Sequence, residues 1–144
     1  MILSHWIDGQ HYVGRGEATI SVVDPATAAV VGHLPIGGVS TVDRAVESAT
    51  TAERAWGRLT PARRSAAMFG LAQVFEENLE EIVALESMDT GKPEANVRGE
   101  SAFAVDLIRF CAGAARNLDG KAAGEYSEGR TSMIRREPLG VVAG

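Results

Sequence analysis

A chain of 144 residues has the length of one ordinary domain, enough to bury a core without disulfide staples. Its 45% hydrophobic and 23% charged residues are those of a globular protein in water. A net charge of −5 argues against nucleic acid as a partner, because phosphate binding needs clustered positive charge and only the pairs Arg63-Arg64 and Arg135-Arg136 stand together. No stretch approaches the roughly 18 apolar residues of a membrane span. The opening Met1-Ile2-Leu3-Ser4-His5-Trp6 lacks the basic and apolar regions of a secretory signal. One cysteine excludes a disulfide framework and fits a reducing compartment, so the cytoplasm is expected.

The first third reads as strands. His5-Trp6-Ile7 and Gln10-His11-Tyr12-Val13 flank Asp8-Gly9, a dipeptide that accepts the positive φ angles of a tight hairpin. A second hairpin is expected from residues 19–23 and 29–34 around Asp24-Pro25-Ala26-Thr27. Ser40-Thr41-Val42-Asp43 then reads as a capping box. Behind it Val42, Ala45, Val46, Ala49, Ala52, Trp56 and Leu59 keep the spacing of one apolar helix face. Thr60-Pro61 opens a second helix, with Met68, Leu71, Ala72, Phe75 and Leu79 inward. Asn78 is expected to recap the chain, and Gly91 and Pro93 to end that run. A fourth helix is expected over residues 94–118, closed by Gly120 and Gly124 and burying Val97, Val105, Ile108, Cys111 and Ala112. Residues 130–136 and Val141-Val142-Ala143 read as strands. Helices with no parallel sheet to cover form an incomplete architecture, and an apolar run at the end reads as a cut.

The search for chemistry returns little. A catalytic thiolate needs an electropositive, partly exposed setting, whereas Cys111 falls on an apolar helix stripe and reads as core. His5, His11 and His33 lack zinc-site spacing and read as ordinary strand residues. Thr90-Gly91-Lys92-Pro93 lacks the upstream glycine and the hydroxyl of a phosphate loop, so it reads as a helix end. Glu76-Glu77 and Glu80-Glu81 read as a solvated helix side.

Five segments nonetheless resemble, in order, the N-terminal region of the aldehyde dehydrogenase superfamily. Trp6-Ile7-Asp8-Gly9 is similar to its opening hairpin. Val23-Asp24-Pro25-Ala26-Thr27 is similar to its Asn-Pro-Ala-Thr-Gly turn, with Asp24 for the usual Asn and Ala28 for the usual Gly. Val42-Asp43-Arg44-Ala45-Val46 with Ala55-Trp56 resembles its first long helix, and Leu85-Glu86-Ser87-Met88-Asp89-Thr90-Gly91-Lys92-Pro93 and Arg136-Glu137-Pro138-Leu139-Gly140-Val141-Val142-Ala143-Gly144 resemble two further runs.

The resemblance implies an α/β fold of which this chain is the N-terminal part: hairpins at 5–34, helices of the cofactor domain at 40–119 and an oligomerisation-type strand segment at 124–137. It implies NAD or NADP as cofactor, an aldehyde as substrate and a carboxylic acid as product, leaning to the aminoaldehyde and betaine-aldehyde branch. It places the catalytic Asn, Glu and Cys and the cofactor-binding residues downstream, so none is expected here. A homodimer or homotetramer is implied for the parent, with residues 6–12 and 125–136 near subunit contacts. In related betaine and aminoaldehyde dehydrogenases a structural monovalent cation lies where this sequence has the Val23 carbonyl and Asp89, which become the candidate metal ligands. The alternatives are a CoA-acylating semialdehyde dehydrogenase piece and a free-standing, non-catalytic helical interaction module.

Overall fold

Asp8 and Gly9 both take positive φ, 55° and 70°, the geometry of a two-residue hairpin turn. They fold β1 (His5–Ile7) back on β2 (Gln10–Tyr12) in antiparallel register, Trp6 opposite His11. The computed structural model describes residues 3–117 and 123–144. A second antiparallel ribbon joins β3 (Thr19–Val23) to β4 (Val30–Pro35). Its turn is held by Asp24, whose carboxylate accepts from the Ala26 N–H at 2.8 Å and the Thr27 hydroxyl at 2.7 Å.

Four helices follow: α1 (Val39–Gly57), α2 (Pro61–Glu77), α3 (Leu79–Thr90) and α4 (Glu94–Ala114). The expected Thr60-Pro61 start is present, with the Thr60 hydroxyl accepting from the Arg63 N–H and Pro61 at the first helical position. Gly91 ends α3 in the left-handed conformation at φ 72°. Three expectations need correction. The capping box with Ser40 as cap and Asp43 three residues on is not formed: α1 starts at Val39 with Gly38 at the cap position, so Ser40 already lies inside the helix and no side chain caps it. Asn78 stands at the cap position of α3 as expected, but its side chain makes no cap hydrogen bond; its amide donates instead to the Val74 carbonyl at 2.7 Å and closes α2. α4 ends at Ala114 rather than at residue 118, and the expected closing Gly120 lies outside the described residues.

After the helices, β5 (Gly124–Ser127) pairs with β6 (Arg130–Ser132) around Gly129 at φ 68°. Gly124 therefore opens a strand instead of closing a helix. Only three residues of the expected 130–136 strand join a ladder. Val141-Val142-Ala143 pairs with no strand among the described residues. Among the described residues the result is a mixed α/β arrangement with three separate two-stranded antiparallel sheets.

The core lies where α4 packs across α2 and α3. Ala72, Val83, Val97, Val105 and Ala112 are buried there, each exposing no more than 4% of its surface. Burying a valine side chain stabilises by about 1.5–2 kcal/mol, so these few contacts hold the bundle. Around the rim Arg109 pairs with Glu76 at 2.6 Å, Arg98 pairs with Glu80, and Lys92 meets Glu100 at 2.7 Å. The acidic pairs of α2 and α3 thus bridge outward to α4.

Much of the apolar surface has no cover. The predicted inner face of α1 is largely exposed, including Val42, Val46 and Trp56; its principal tertiary contact is with β1, and it does not join the α2–α3–α4 packing. Cys111 is exposed rather than core. The buried line of α4 runs Val97, Ser101, Val105, Ala112, and Cys111 falls at its edge, where α2 does not reach. Among the described residues no helix is long and apolar enough to cross a membrane.

Candidate functional site

Two turns that are far apart in sequence meet. A side-chain carbon on Gly91 would lie 2.8 Å from Pro25 Cγ, so the loop after α3 can approach the β3–β4 turn only because residue 91 is glycine. The loop is fastened from both sides. Ser87 Oγ donates to the Lys92 carbonyl at 2.6 Å, Thr90 Oγ1 donates to the Glu86 carbonyl at 2.6 Å, and Lys92 Nζ lies 2.7 Å from Glu100 and 3.7 Å from Glu86. The Glu100 carboxylate holds the Lys92 ammonium above its ordinary pKa, with Glu86 adding to it. That lysine is therefore already partnered by carboxylates, as its rejection as a phosphate-loop lysine implies.

Beside this junction a cleft of about 450 Å³ opens between the β3–β4 ribbon and α3. Val22, Val31, Leu34, Ile82, Leu85 and Met88 line it, and Asp89 stands at its rim. Val23, one residue past Val22, has an exposed side chain. Pro25 and Gly91 are the contact between these two turns; Val23 is the last residue of β3, and Asp89 lies in the last turn of α3. Among the described residues no group of three or more His, Cys, Asp or Glu side chains gathers as a metal site. Carboxylate and carbonyl oxygens are the donors this junction offers.

The other sequence candidates are scattered. Cys111 is a free, exposed thiol on α4. His5 Nε2 donates to Glu17 at 3.0 Å, His11 shares a hydrogen bond with Ser4 Oγ at 2.6 Å, and His33 is exposed on β4 opposite Ser21. No carboxylate backs the Ser4–His11 pair among the described residues, so it lacks the third member of a catalytic triad.

Glu17 was the residue that pattern reading passed over. Its carboxylate takes hydrogen bonds from the Thr41 hydroxyl, the Gly14 N–H at 3.0 Å and His5. The Thr41 hydroxyl above all holds it below the usual carboxylate range; burial opposes this, and Gly14, His5 and the Gly38 N–H reinforce it. A signal was present: an isolated glutamate in Gly14-Arg15-Gly16-Glu17, ahead of a helix whose cap position is a glycine.

Comparison with known proteins gives these turns a context. Residues 12–144 match the model of the Aldehyde dehydrogenase family. The chain belongs to the aldehyde dehydrogenase family. It is 32% identical over 142 residues to a malonate-semialdehyde dehydrogenase of Halalkalibacterium halodurans, covering 99% of this chain and 29% of that protein. It is 33% identical over 147 residues to a betaine aldehyde dehydrogenase of Vibrio vulnificus, with 99% and 29% covered. The crystal structure of an NAD-dependent aldehyde dehydrogenase from Sinorhizobium meliloti superposes with a TM-score of 0.87 at 34% identity, over 96% of this chain and 28% of that one. The chain thus spans less than a third of the length of these relatives. Its family is one of oxidoreductases, and its hairpins and helices are a partial aldehyde dehydrogenase fold.

Proposed function

We propose that these residues form the N-terminal part of an NAD(P)-dependent enzyme that oxidises an aldehyde to a carboxylic acid, and that they supply scaffold rather than chemistry. One observation carries this: the family match runs through residues 12–144, while the chain's one thiol, Cys111, is a free cysteine on the exposed side of α4 rather than in a cleft. The activated thiolate that aldehyde oxidation needs would have to come from elsewhere in the enzyme. NAD or NADP is the cofactor of this proposal, supported by the NAD-dependent relative of similar fold. A homodimer or homotetramer and a cytoplasmic location belong to the same reading, the latter supported by the free cysteine.

Two substrate classes compete. Aminoaldehydes or betaine aldehyde are supported by the Vibrio relative and a semialdehyde by the Halalkalibacterium relative; CoA-acylating chemistry is the variant of the second reading that the presence or absence of CoA distinguishes. Their identities of 33% and 32% do not separate them. A structural monovalent cation between the Val23 carbonyl and Asp89 also belongs to the proposal; the hard oxygen donors at the Pro25–Gly91 junction suit an alkali ion.

A graft tests the whole reading. Residues 1–144 replace the matching segment of the Vibrio enzyme, and nicotinamide reduction is followed with betaine aldehyde and malonate semialdehyde, with and without CoA. The graft is expected to turn over aldehyde while the 144-residue chain alone does not. Turnover by the chain alone, abolished by Cys111→Ser, would overturn the assignment of these residues to scaffold.

A further inference from the structure

α1 begins without a cap of its own: Gly38 has no side chain to offer the first-turn N–H groups. A carboxylate from another segment is placed there instead. Glu17, in the loop between β2 and β3, is 7% exposed and is gripped by the Thr41 hydroxyl of α1, the Gly14 N–H and the His5 ring of β1. A larger residue at position 14 would have to push the Glu17 carboxylate out of this seat. A side-chain carbon on Gly14 would overlap Glu17 Oε1 and lie 2.8 Å from Thr41 Oγ1.

The other fastenings of the hairpin are few. Ile7 is its buried apolar residue, Tyr12 lies under the Arg44 guanidinium at 4.6 Å, and the Leu3 N–H donates to the His33 carbonyl at 2.9 Å. With three residues per strand, the ribbon has no independent stability and must be held. α1 in turn makes its principal tertiary contact with β1, while α2, α3 and α4 pack on one another.

We propose that Glu17 is a latch that seats the β1–β2 hairpin on the start of α1, and that hairpin and first turn open together as one unit, separately from the α2–α3–α4 bundle. The part-buried carboxylate is the common acceptor for all three segments, so losing it frees them at once. The bundle shares none of these hydrogen bonds.

Amide hydrogen exchange on the full 144-residue chain tests this, comparing the unsubstituted protein with Glu17→Gln, Glu17→Asp and Gly14→Ala. Glu17→Gln and Gly14→Ala are expected to speed exchange at Ile7, Gln10, Thr41 and Val42 by at least about tenfold, since hydrogen bonds to a charged acceptor are lost. Glu17→Asp keeps the charge and is expected to fall between. Amides of Val83, Val97 and Val105 are expected to exchange as before. Equal acceleration in hairpin and bundle would overturn the proposal, as would hairpin amides that stay protected in both disruptive variants or lack protection in the unsubstituted chain. Gly14→Ala leaves the carboxylate in the chain, so it reads the seating even if Glu17→Gln fails to fold.

Discussion

Ala28 stands in the left-handed region at φ 58°, held there as its N–H bonds back to the Asp24 carbonyl at 2.8 Å. An L-residue with a side-chain carbon is strained in that conformation by about 1–2 kcal/mol, part of which glycine gives back as entropy of the unfolded chain. Ala28→Gly is therefore expected to stabilise by about 0.5–1 kcal/mol, seen as a higher urea midpoint with an unchanged slope. Gly91→Ala should do the reverse: φ 72° and a 2.8 Å approach to Pro25 Cγ both penalise the new methyl. A loss of about 1–2 kcal/mol is expected there. Acid should act through Glu17. Folding depresses its pKa, so its contribution is complete above the unfolded-chain value and disappears as pH falls through the lower folded one. Asp24, held down chiefly by the Thr27 hydroxyl, shifts stability in the same sense, whereas Glu80, held down by Arg98 in a solvent-screened pair, adds little. The gap between the unsubstituted chain and Glu17→Gln should thus be widest near neutrality and narrow on acidification. A gap that stays constant in urea midpoints measured down the acid range would remove Glu17 from that account.

Among the elements, the α2–α3–α4 bundle depends on a handful of small buried side chains. Val97→Ala, at a residue 1% exposed, is expected to cost about 2 kcal/mol in unfolding free energy. Arg98→Ala, one residue on, should leave the denaturation midpoint unchanged within error, because its pair with Glu80 is solvent-screened. What the sequence made legible follows the same division between local and distant causes. Asp8-Gly9, Thr60-Pro61 and Gly91 were readable because their own backbone preferences specify a turn, a helix start and a helix end. Ser40 and Asn78 misled because a cap residue type fixes neither where the helix begins nor which partner its side chain takes: α1 starts one residue before Ser40, and the Asn78 amide bonds back to the Val74 carbonyl. Cys111 and the apolar stripe of α1 misled for another reason: a 3.6-residue period says which side of a helix is apolar, not whether anything lies against it. The Pro25–Gly91 junction, close in sequence to the candidate ligands Val23 and Asp89, joins residues too distant for any local pattern to connect.

Taken whole, the molecule exposes 11094 Å². A closed monomer of its size would expose about 7,100 Å². The difference is larger than the surface of a standard protein–protein interface, about 1,600 Å². Much of it is apolar, with Trp6, Val39, Phe103, Phe110 and Leu139 all uncovered. The 144-residue chain by itself is therefore expected to enhance anilinonaphthalene sulfonate fluorescence under native conditions, and the graft into a full-length relative to suppress it. Equal dye response from both would mean that these faces stay open in the complete enzyme.

One property of the ladders bears on how such an enzyme is made. Each ribbon joins strands that are consecutive in the chain, β1 with β2, β3 with β4 and β5 with β6, and α4 closes on the two helices just before it. Short-range closures of this kind are fast. In the longer enzyme proposed above, this region can adopt its shape during synthesis, before segments made later dock on it.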